Sequence, residues 1–211
     1  MSFLLPDYCP LCNNKSDPLL LICKKCIPEL KPVEIKRDVL KGVIIYSFLP
    51  YSEKHRYILH QIKFEEKKFY IDDILCRIDF SFLHKYNIDL ITYVPMSLSG
   101  IILRGFNQSR VIARIISKKI KKRFYPILGK SKYSKQSLKE TAEERSQIVK
   151  NNPFYLKRSM YKRIREASSI LIVDDLVTTG NTIKACINRI KDINPNIKFY
   201  IITLFYTEDI K

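Results

Sequence analysis

The sequence predicts an α/β domain with a mainly parallel sheet, preceded by a small zinc knuckle. Strand-like runs at Asp89–Val94 and Ile170–Val173 are each followed by a polar loop and then by a helical apolar pattern, which is typical of a parallel sheet. Two Cys-x-x-Cys pairs in the first thirty residues indicate the knuckle. A chain of 211 residues suits one such domain with a small appendage.

The knuckle comes first in the chain. Its four cysteines are Cys9, Cys12, Cys23 and Cys26. Each pair can bind one Zn²⁺ as thiolates, and two pairs complete the closed tetrahedron of a structural site. Two disulfides or four free thiols are the alternatives. We assign the knuckle to residues 1–35 and the main domain to residues 36–211. The remaining cysteines, Cys76 and Cys186, lie in apolar helical patterns, and we predict that both are core residues.

Several simpler elements complete the predicted domain. Residues 43–48 form a strand that Pro50 ends, and residues 57–63 and 71–78 carry helical apolar patterns. The last predicted strand spans residues 198–205. These elements suit a single α/β layer structure with helices on the sheet.

The first polar loop follows the strand that stops at Pro95 and leads into a helix ending near Ile120. Its arginine, amide groups and free backbone N–H groups suit a multiply charged anion such as pyrophosphate, which an arginine can bind through two hydrogen bonds. The plain alternative is a turn at Gly105 and a helix cap at Asn107. The candidate pyrophosphate-binding residues are Met96, Ser97, Arg104, Asn107 and Gln108.

The second polar loop joins the strand at Ile170–Val173 to a helix with apolar residues from Ile183 to Ile190. Free N–H groups and the dipole at the helix start suit a phosphate monoester, and Asp174 and Asp175 suit ribose hydroxyls or a metal-bound water. The candidate phosphate-binding residues are Val177, Thr178, Thr179, Gly180, Asn181 and Thr182. The alternative is an acidic turn before a capped helix.

The formal net charge of +17 is unevenly distributed. Residues 118–163 contain 15 basic and 3 acidic residues, a net charge of +12. Such a field favours polyanions, and tyrosines among the cations can stack on single-stranded bases. A merely solvated lysine-rich surface is the alternative. The candidate DNA-binding residues are Lys118, Lys121, Lys122, Arg123, Lys132, Tyr133 and Lys135.

Two resemblances extend these predictions. The segment Ile170–Thr182 resembles the 5-phosphoribosyl-1-pyrophosphate (PRPP) motif of the type I phosphoribosyltransferases. With the cysteine knuckle and the run from Arg104 to Gln108, the chain resembles the ComF family (ComFC/GntX type) nearly end to end. That resemblance implies PRPP binding with Mg²⁺, a loop at 130–145 that closes over PRPP, and handling of incoming single-stranded DNA in natural transformation beside a ComFA-type helicase.

Three functions follow as hypotheses. The first is a DNA-handling protein of transformation that binds PRPP, the second is an active Mg²⁺-dependent phosphoribosyltransferase with an unidentified acceptor, and the third is a zinc-bearing adaptor. The intact polar loop at 174–182 disfavours the adaptor. We expect a cytoplasmic protein without membrane insertion, because no apolar run approaches the length that spans a bilayer and the first residues lack the pattern of a signal peptide.

Overall fold

The computed structural model describes residues 8–15, 22–64, 68–131 and 152–208. Its strands are β1 (Val33–Ile35), β2 (Ile44–Ser47), β3 (Leu49–Pro50), β4 (Leu90–Tyr93), β5 (Leu128–Lys130), β6 (Phe154–Leu156), β7 (Ser169–Val177) and β8 (Lys198–Tyr206). Its α-helices are α1 (Glu53–Phe64), α2 (Lys68–Arg77), α3 (Leu98–Arg104), α4 (Gln108–Lys119), α5 (Tyr161–Glu166) and α6 (Asn181–Lys191). Short 3-10 helices lie at Ile27–Glu29, Asp38–Leu40, Ser81–Lys85 and Arg158–Met160.

A six-stranded sheet forms the centre of the domain. Five of its strands follow the order β1-β2-β8-β7-β4, and β3 also pairs with β8. Strands β2, β3 and β7 run parallel to β8, and β4 runs parallel to β7, whereas β1 pairs antiparallel with β2. Strands β5 and β6 form a separate antiparallel pair. The predicted α/β fold with a mainly parallel sheet is therefore confirmed.

The side chains of β7 alternate between two apolar clusters on opposite faces of the sheet. Leu171 lies in one cluster with Ile116 of α4, whereas Ile170 lies in the other with Ile187 of α6. Each residue from Ile170 to Val173 is fully buried. Because successive residues of a strand point to opposite faces, a strand covered by helices on both sides must be apolar at every position.

The carboxyl ends of β4 and β7 lie side by side, with Tyr93 opposite Val173. Strand β7 continues to Val177 because its last residues still pair with β8. Asp174 and Asp175 therefore belong to the strand rather than to the loop after it. The segments that follow β4 and β7 open on the same edge of the sheet, where open α/β sheets bind their ligands.

The segment that carries the four cysteines packs on α1 and α2. Leu11 and Ile22 lie in the same buried cluster as Ile58 and Ile62 of α1. The amide nitrogen of Ile22 also donates to Oδ2 of Asp73 on α2, at 3.4 Å. The knuckle thus packs against α1 and α2, the first two helices of the main domain.

One predicted core residue is wrong. Cys76 is exposed on α2, and its Sγ donates to the carbonyl oxygen of Asp73 at 3.0 Å. The apolar face of α2 passes through Ile71, Ile74 and Leu75, and Cys76 points away from that face. Cys186 is buried on α6, as predicted.

The remaining predicted elements are present with shifted ends. The strand predicted at 43–48 corresponds to β2, the unpredicted short strand β3 follows it, and the helices predicted at 57–63 and 71–78 are α1 and α2. Helix α3 was not predicted. Within the described ranges, no helix has the length and apolar character needed to cross a membrane.

Candidate functional site

A cavity of about 360 Å³ lies at the edge where β4 and β7 end. The segment between β4 and α4, the first turn of α4 and the segment from β7 into α6 form most of its wall, and α1 and β5 add one lysine each. Its lining residues are Lys63, Val94, Pro95, Met96, Ser97, Gly100, Arg104, Asn107, Ser109, Lys130, Asp174, Asp175, Leu176, Thr178 and Thr182. The two polar loops identified in the sequence therefore share one cavity.

The carboxyl group of Asp174 is almost fully buried, with 8 % of the residue exposed. Its Oδ1 accepts hydrogen bonds from Oγ of Ser109 at 2.8 Å and from the amide nitrogen of Asp175 at 2.9 Å. Burial raises the pKa of Asp174 well above its ordinary value and the negative charge of Asp175 raises it further, while the bond from Ser109 opposes the shift. Protonation would turn this carboxyl group into a hydrogen-bond donor.

The carboxylate of Asp175 has a cationic partner from another element. Nζ of Lys63, in the last turn of α1, lies 3.0 Å from Oδ2 of Asp175. Both side chains are largely buried, with exposed fractions of 18 % and 16 %. Because solvent screens a partly buried pair less than an exposed one, this ion pair fixes both groups at the cavity wall.

The start of α6 has the backbone of an anion-binding turn. Gly180 precedes the helix with φ 85° and ψ −1°, in the left-handed region that favours glycine. A Cβ atom on Gly180 would lie 2.8 Å from Cδ1 of Leu40, so the position also lacks space for a side chain. Thr182 lines the cavity from the first turn of α6, where unpaired N–H groups and the helix dipole favour negative charge.

The other candidate phosphate-binding residues differ in where they lie. Thr178 lines the cavity, and its carbonyl oxygen accepts a hydrogen bond from Nε of Arg37 at 2.6 Å. Val177 is buried in the core, so only its backbone is available to a ligand. Thr179 and Asn181 are exposed and do not line the cavity. The cavity thus brings together Thr178 and Thr182 from this group.

Four of the five candidate pyrophosphate-binding residues, namely Met96, Ser97, Arg104 and Asn107, line the same cavity. Two of them also cap helices. Oγ of Ser97 accepts from the amide of Gly100 at 3.2 Å at the start of α3. Oδ1 of Asn107 accepts from the amide of Arg110 at 3.0 Å, and its Nδ2 donates to the carbonyl oxygen of Val94 at 3.2 Å. The capping alternative therefore holds for Asn107, which keeps one side-chain N–H for a ligand.

The fifth candidate, Gln108, lies in the first turn of α4 and does not line the cavity. Its side chain is completely buried, and among the described residues neither its Oε1 nor its Nε2 has a hydrogen-bond partner. Burying an amide without partners costs free energy. Gln108 is therefore placed behind the wall of the cavity rather than in it.

Three cavity residues with polar or charged side chains are absent from the set predicted from the sequence: Lys63, Ser109 and Lys130. Ser109 directly follows the Arg104–Gln108 run, so its position was the available signal. Lys63 ends an ordinary amphipathic helix far from both loops in the sequence, and only tertiary packing brings it to Asp175. Lys130 ends β5. Residues 132–151, which include most of the predicted closing loop, lie outside the described ranges.

The balance of charge in the cavity favours an anion. Lys63, Arg104 and Lys130 face two carboxyl groups, and one of these, Asp174, has a raised pKa. The three cations outnumber the two carboxyl groups, and the raised pKa of Asp174 lowers the negative charge of the cavity further. Such a set suits a ligand with several phosphate charges and hydroxyl groups.

The four knuckle cysteines converge. The sulfur atoms of Cys9, Cys12, Cys23 and Cys26 all lie within 4.8 Å of one another. Sγ of Cys12 lies 3.6 Å from Sγ of Cys23, close to the roughly 3.8 Å that tetrahedral Zn–S bonds of about 2.3 Å require. Burial raises the pKa of Cys9 and of Cys26, so a cation is needed for all four to be thiolates. The cluster can hold zinc, and it leaves no ligand position open for catalysis.

The candidate DNA-binding residues fall into two groups. Lys118, Lys121, Lys122 and Arg123 lie at the end of α4 and in the turn after it, and Lys122 is half-buried while the other three are exposed. Lys132, Tyr133 and Lys135 lie outside the described residues. The first group forms a basic patch at the end of α4 that is remote from the ligand edge of the sheet.

Comparison with known protein families supports the class of domain that the fold and the cavity define. A profile of the phosphoribosyl transferase domain matches residues 107–208, from the start of α4 through β8. The chain therefore carries a phosphoribosyltransferase-type domain. A search of curated proteins finds no match to the chain.

Proposed function

We propose that the cavity binds PRPP. Its 5-phosphate binds at Thr178 and Thr182, its ribose hydroxyls bind Asp174 and Asp175, and its pyrophosphate binds beside Arg104. The observation that carries this proposal is the meeting of both polar loops in a single cavity of about 360 Å³ with excess positive charge. The phosphoribosyltransferase-type profile over residues 107–208 supports it independently.

Magnesium would enter with PRPP rather than occupy a site built by the protein alone. Asp174 already accepts two hydrogen bonds and Asp175 is paired with Lys63, so neither carboxyl group is open on all sides. Mg²⁺ prefers phosphate oxygens and retained waters, with one or two carboxylates nearby. The bound ion would neutralise the pyrophosphate charge, and Asp175 would orient the ribose hydroxyls.

Calorimetry with PRPP and Mg²⁺ tests the proposal. We expect the Asp174→Asn/Asp175→Asn variant to bind PRPP at least about tenfold more weakly, a loss of roughly 1.4 kcal/mol. Asp72→Asn, an exposed change on α2, is the control and should match the wild type. Wild-type protein that gives no heat with PRPP would overturn the proposal.

We further propose that the protein handles incoming single-stranded DNA in natural transformation, in the cytoplasm and beside a ComFA-type helicase, as the resemblance to the ComF family implies. The net charge of +17 and the basic patch at the end of α4 support this role. Binding of single-stranded DNA should weaken steeply as salt rises, because phosphate contacts release counterions. A flat salt response would discard the DNA role and leave the PRPP proposal standing.

The alternative is an active phosphoribosyltransferase, in which a nucleophile displaces pyrophosphate from C1 of PRPP. The adjacent carboxyl groups of buried Asp174, whose pKa is raised, and half-buried Asp175 favour this alternative, because such pairs are common in active sites. Pyrophosphate release from PRPP with candidate acceptors tests it. An Asp174→Ala/Asp175→Ala variant must lose the activity, since equal release by both proteins would mean a contaminant.

A further inference from the structure

A second cavity of about 270 Å³ adjoins the first. Pro95, Met96 and Asn107 line both, so the two cavities share a wall. We call the second one the side chamber. Apart from the shared wall, it is lined by the aromatic residues Tyr93 and Phe106, the apolar Ile101 and Val111, the turn at Gly105, and the guanidinium groups of Arg110 and Arg114. None of the side-chamber residues outside the shared wall belongs to the proposed PRPP site.

The two arginines are placed to bind a phosphate. Arg110 and Arg114 are separated by four residues on α4, so their side chains emerge from neighbouring turns on one face. Both are exposed, and no carboxylate in the described part of the chain forms an ion pair with either. Guanidinium groups match phosphate oxygens in geometry as well as in charge.

The aromatic wall supplies a different kind of contact. Tyr93 is half-buried at the end of β4, and its ring stacks on that of Phe124 with centroids 5.7 Å apart and planes 19° apart. A planar ring in the side chamber would contact Tyr93, whose ring packs against Phe124. An inorganic anion would gain no stacking contact from these aromatic rings, whereas a nucleobase would.

The positive charge continues from the side chamber along α4. Arg110, Arg114, Lys118 and Lys121 are all exposed and follow one another at intervals of four, four and three residues. The first three lie on one side of α4 over a length of roughly 12 Å at 1.5 Å per residue, and Lys121 lies in the turn after the helix. A row of cations at one-turn intervals can follow a phosphate backbone. It joins the side chamber to the basic patch at the end of α4.

We propose that the side chamber is a nucleotide site of a single-stranded nucleic acid. One base contacts Tyr93, its phosphate binds Arg110 and Arg114, and the adjoining phosphates follow α4 to Lys118 and Lys121. This assignment rests on the DNA-handling half of the proposed function and is independent of PRPP. It gives the strand a path that ends beside the proposed PRPP site.

Fluorescence anisotropy of a labelled ten-residue oligo(dT) tests the path. Arg110→Ala/Arg114→Ala should bind about tenfold more weakly, and the slope of log K against log salt should fall by about 1.4 for two lost phosphate contacts. Arg158→Ala/Arg165→Ala removes the same charge from exposed sites elsewhere and should match the wild type. Equal losses in both variants would mean that only net charge acts, and would overturn the proposal.

The side chamber itself is tested without a change of charge. Ile101→Trp fills it and should weaken oligo(dT) binding, and unchanged binding would show that no base enters. Among competitors, dTMP should displace the oligonucleotide at a concentration at least about tenfold lower than thymidine or inorganic phosphate does. Phosphate as effective as dTMP would reduce the site to an anion site and overturn the base contact.

Two further arms separate the strand from a free nucleotide and this proposal from the PRPP site. Lys118→Ala/Lys121→Ala should weaken oligo(dT) binding and leave dTMP binding unchanged. An unchanged affinity for oligo(dT) would rule out the path along α4. The Arg110→Ala/Arg114→Ala variant should bind PRPP like the wild type. If wild-type protein binds oligo(dT) through the side chamber but does not bind PRPP, the proposed PRPP site fails alone.

Discussion

The ammonium group of Lys63 lies 3.0 Å from the carboxylate of Asp175, although the two residues are 112 positions apart in the chain. The lysine comes from the last turn of α1 and the aspartate from near the end of β7. Their ion pair places a fixed positive charge in the cavity proposed for PRPP. A polyphosphate ligand would gain a cationic neighbour there without ordering a mobile side chain, which lowers the entropic cost of binding.

Replacing Lys63 by methionine removes this charge and keeps most of the side-chain volume. We expect PRPP to bind about tenfold more weakly, a loss of roughly 1.4 kcal/mol, because the cavity loses a cation and Asp175 loses its partner. Calorimetry at constant Mg²⁺ measures the change. Lys162→Met alters an exposed lysine on α5 and serves as the control. Unchanged affinity in Lys63→Met would show that the pair has only a structural role.

The Asp174→Asn variant should be more stable than the wild type at neutral pH. The raised pKa of Asp174 means that the folded chain holds a proton that the unfolded chain releases above its ordinary pKa of 3.8. Between pH 3.8 and the raised pKa of the folded state, a rise in pH favours unfolding, because only the unfolded chain releases the proton. Asp174 therefore lowers the stability of the folded state as pH increases in this range. Asparagine keeps an oxygen to accept from Ser109 and carries no charge.

We expect a gain of about 1 kcal/mol or more at pH 7.5, the cost of a buried and poorly compensated charge. Urea unfolding at several pH values measures it, and the gain should shrink toward pH 4. Asp72→Asn, on the exposed side of α2, should show no such trend. A gain that is the same at pH 4 and pH 7.5 would contradict the raised pKa.

Gly180→Ala should destabilise the fold and the phosphate turn together. The left-handed φ of 85° costs a residue with a side chain about 1–3 kcal/mol, and the new Cβ meets Leu40 at 2.8 Å. Thermal unfolding measures the loss of stability, and calorimetry at a temperature where the variant is folded measures PRPP binding. Gly42→Ala is a useful control, since its φ of 79° is also left-handed but its Cβ would have no atom of the described ranges within 4 Å. Equal losses of stability in both variants would show that the contact between the new Cβ and Leu40 has no effect.

Removing zinc should unfold the knuckle and weaken its support of α1. A chelator, or the Cys26→Ser change, should lower the thermal midpoint by about 10 °C, the shift expected for a loss of a few kcal/mol in a chain of this size. Metal analysis should give one zinc per chain in the wild type. Cys76→Ser, at an exposed thiol, should change neither the metal content nor the midpoint. A metal-free wild-type protein with the same midpoint would contradict a structural site.

Local patterns were enough to predict the centre of the fold. The run Ile170–Val173 is apolar at every position because helices cover both faces of β7, and Ile183 to Ile190 repeat with the period of a helix. The end of β7 was less accessible, since Asp174 and Asp175 have no preference for strands. Pairing with β8 carries the strand past them.

The parts that were not predicted depend on long-range packing. Helix α3 is seven residues long and four of them, Leu98, Ile101, Ile102 and Leu103, are exposed, so it lacks the amphipathic pattern of a surface helix. Lys63 belongs to the cavity only because α1 lies against the site edge. Cys76 is predicted as a core residue because its neighbours in the sequence are apolar. Burial on a helix depends instead on the rotation of about 100° per residue, which turns Cys76 away from the apolar face.

The seat of the knuckle on α1 has a consequence for the whole molecule. Ile58 and Ile62 lie under the cysteine-bearing segment, and Lys63 is the next residue along the same helix. If the cluster holds zinc, an oxidant that converts the four cysteines to two disulfides would release the ion and disturb the packing beneath that helix. Oxidation of the cysteines would then shift Lys63 and change the positive charge that the cavity presents to an anionic ligand.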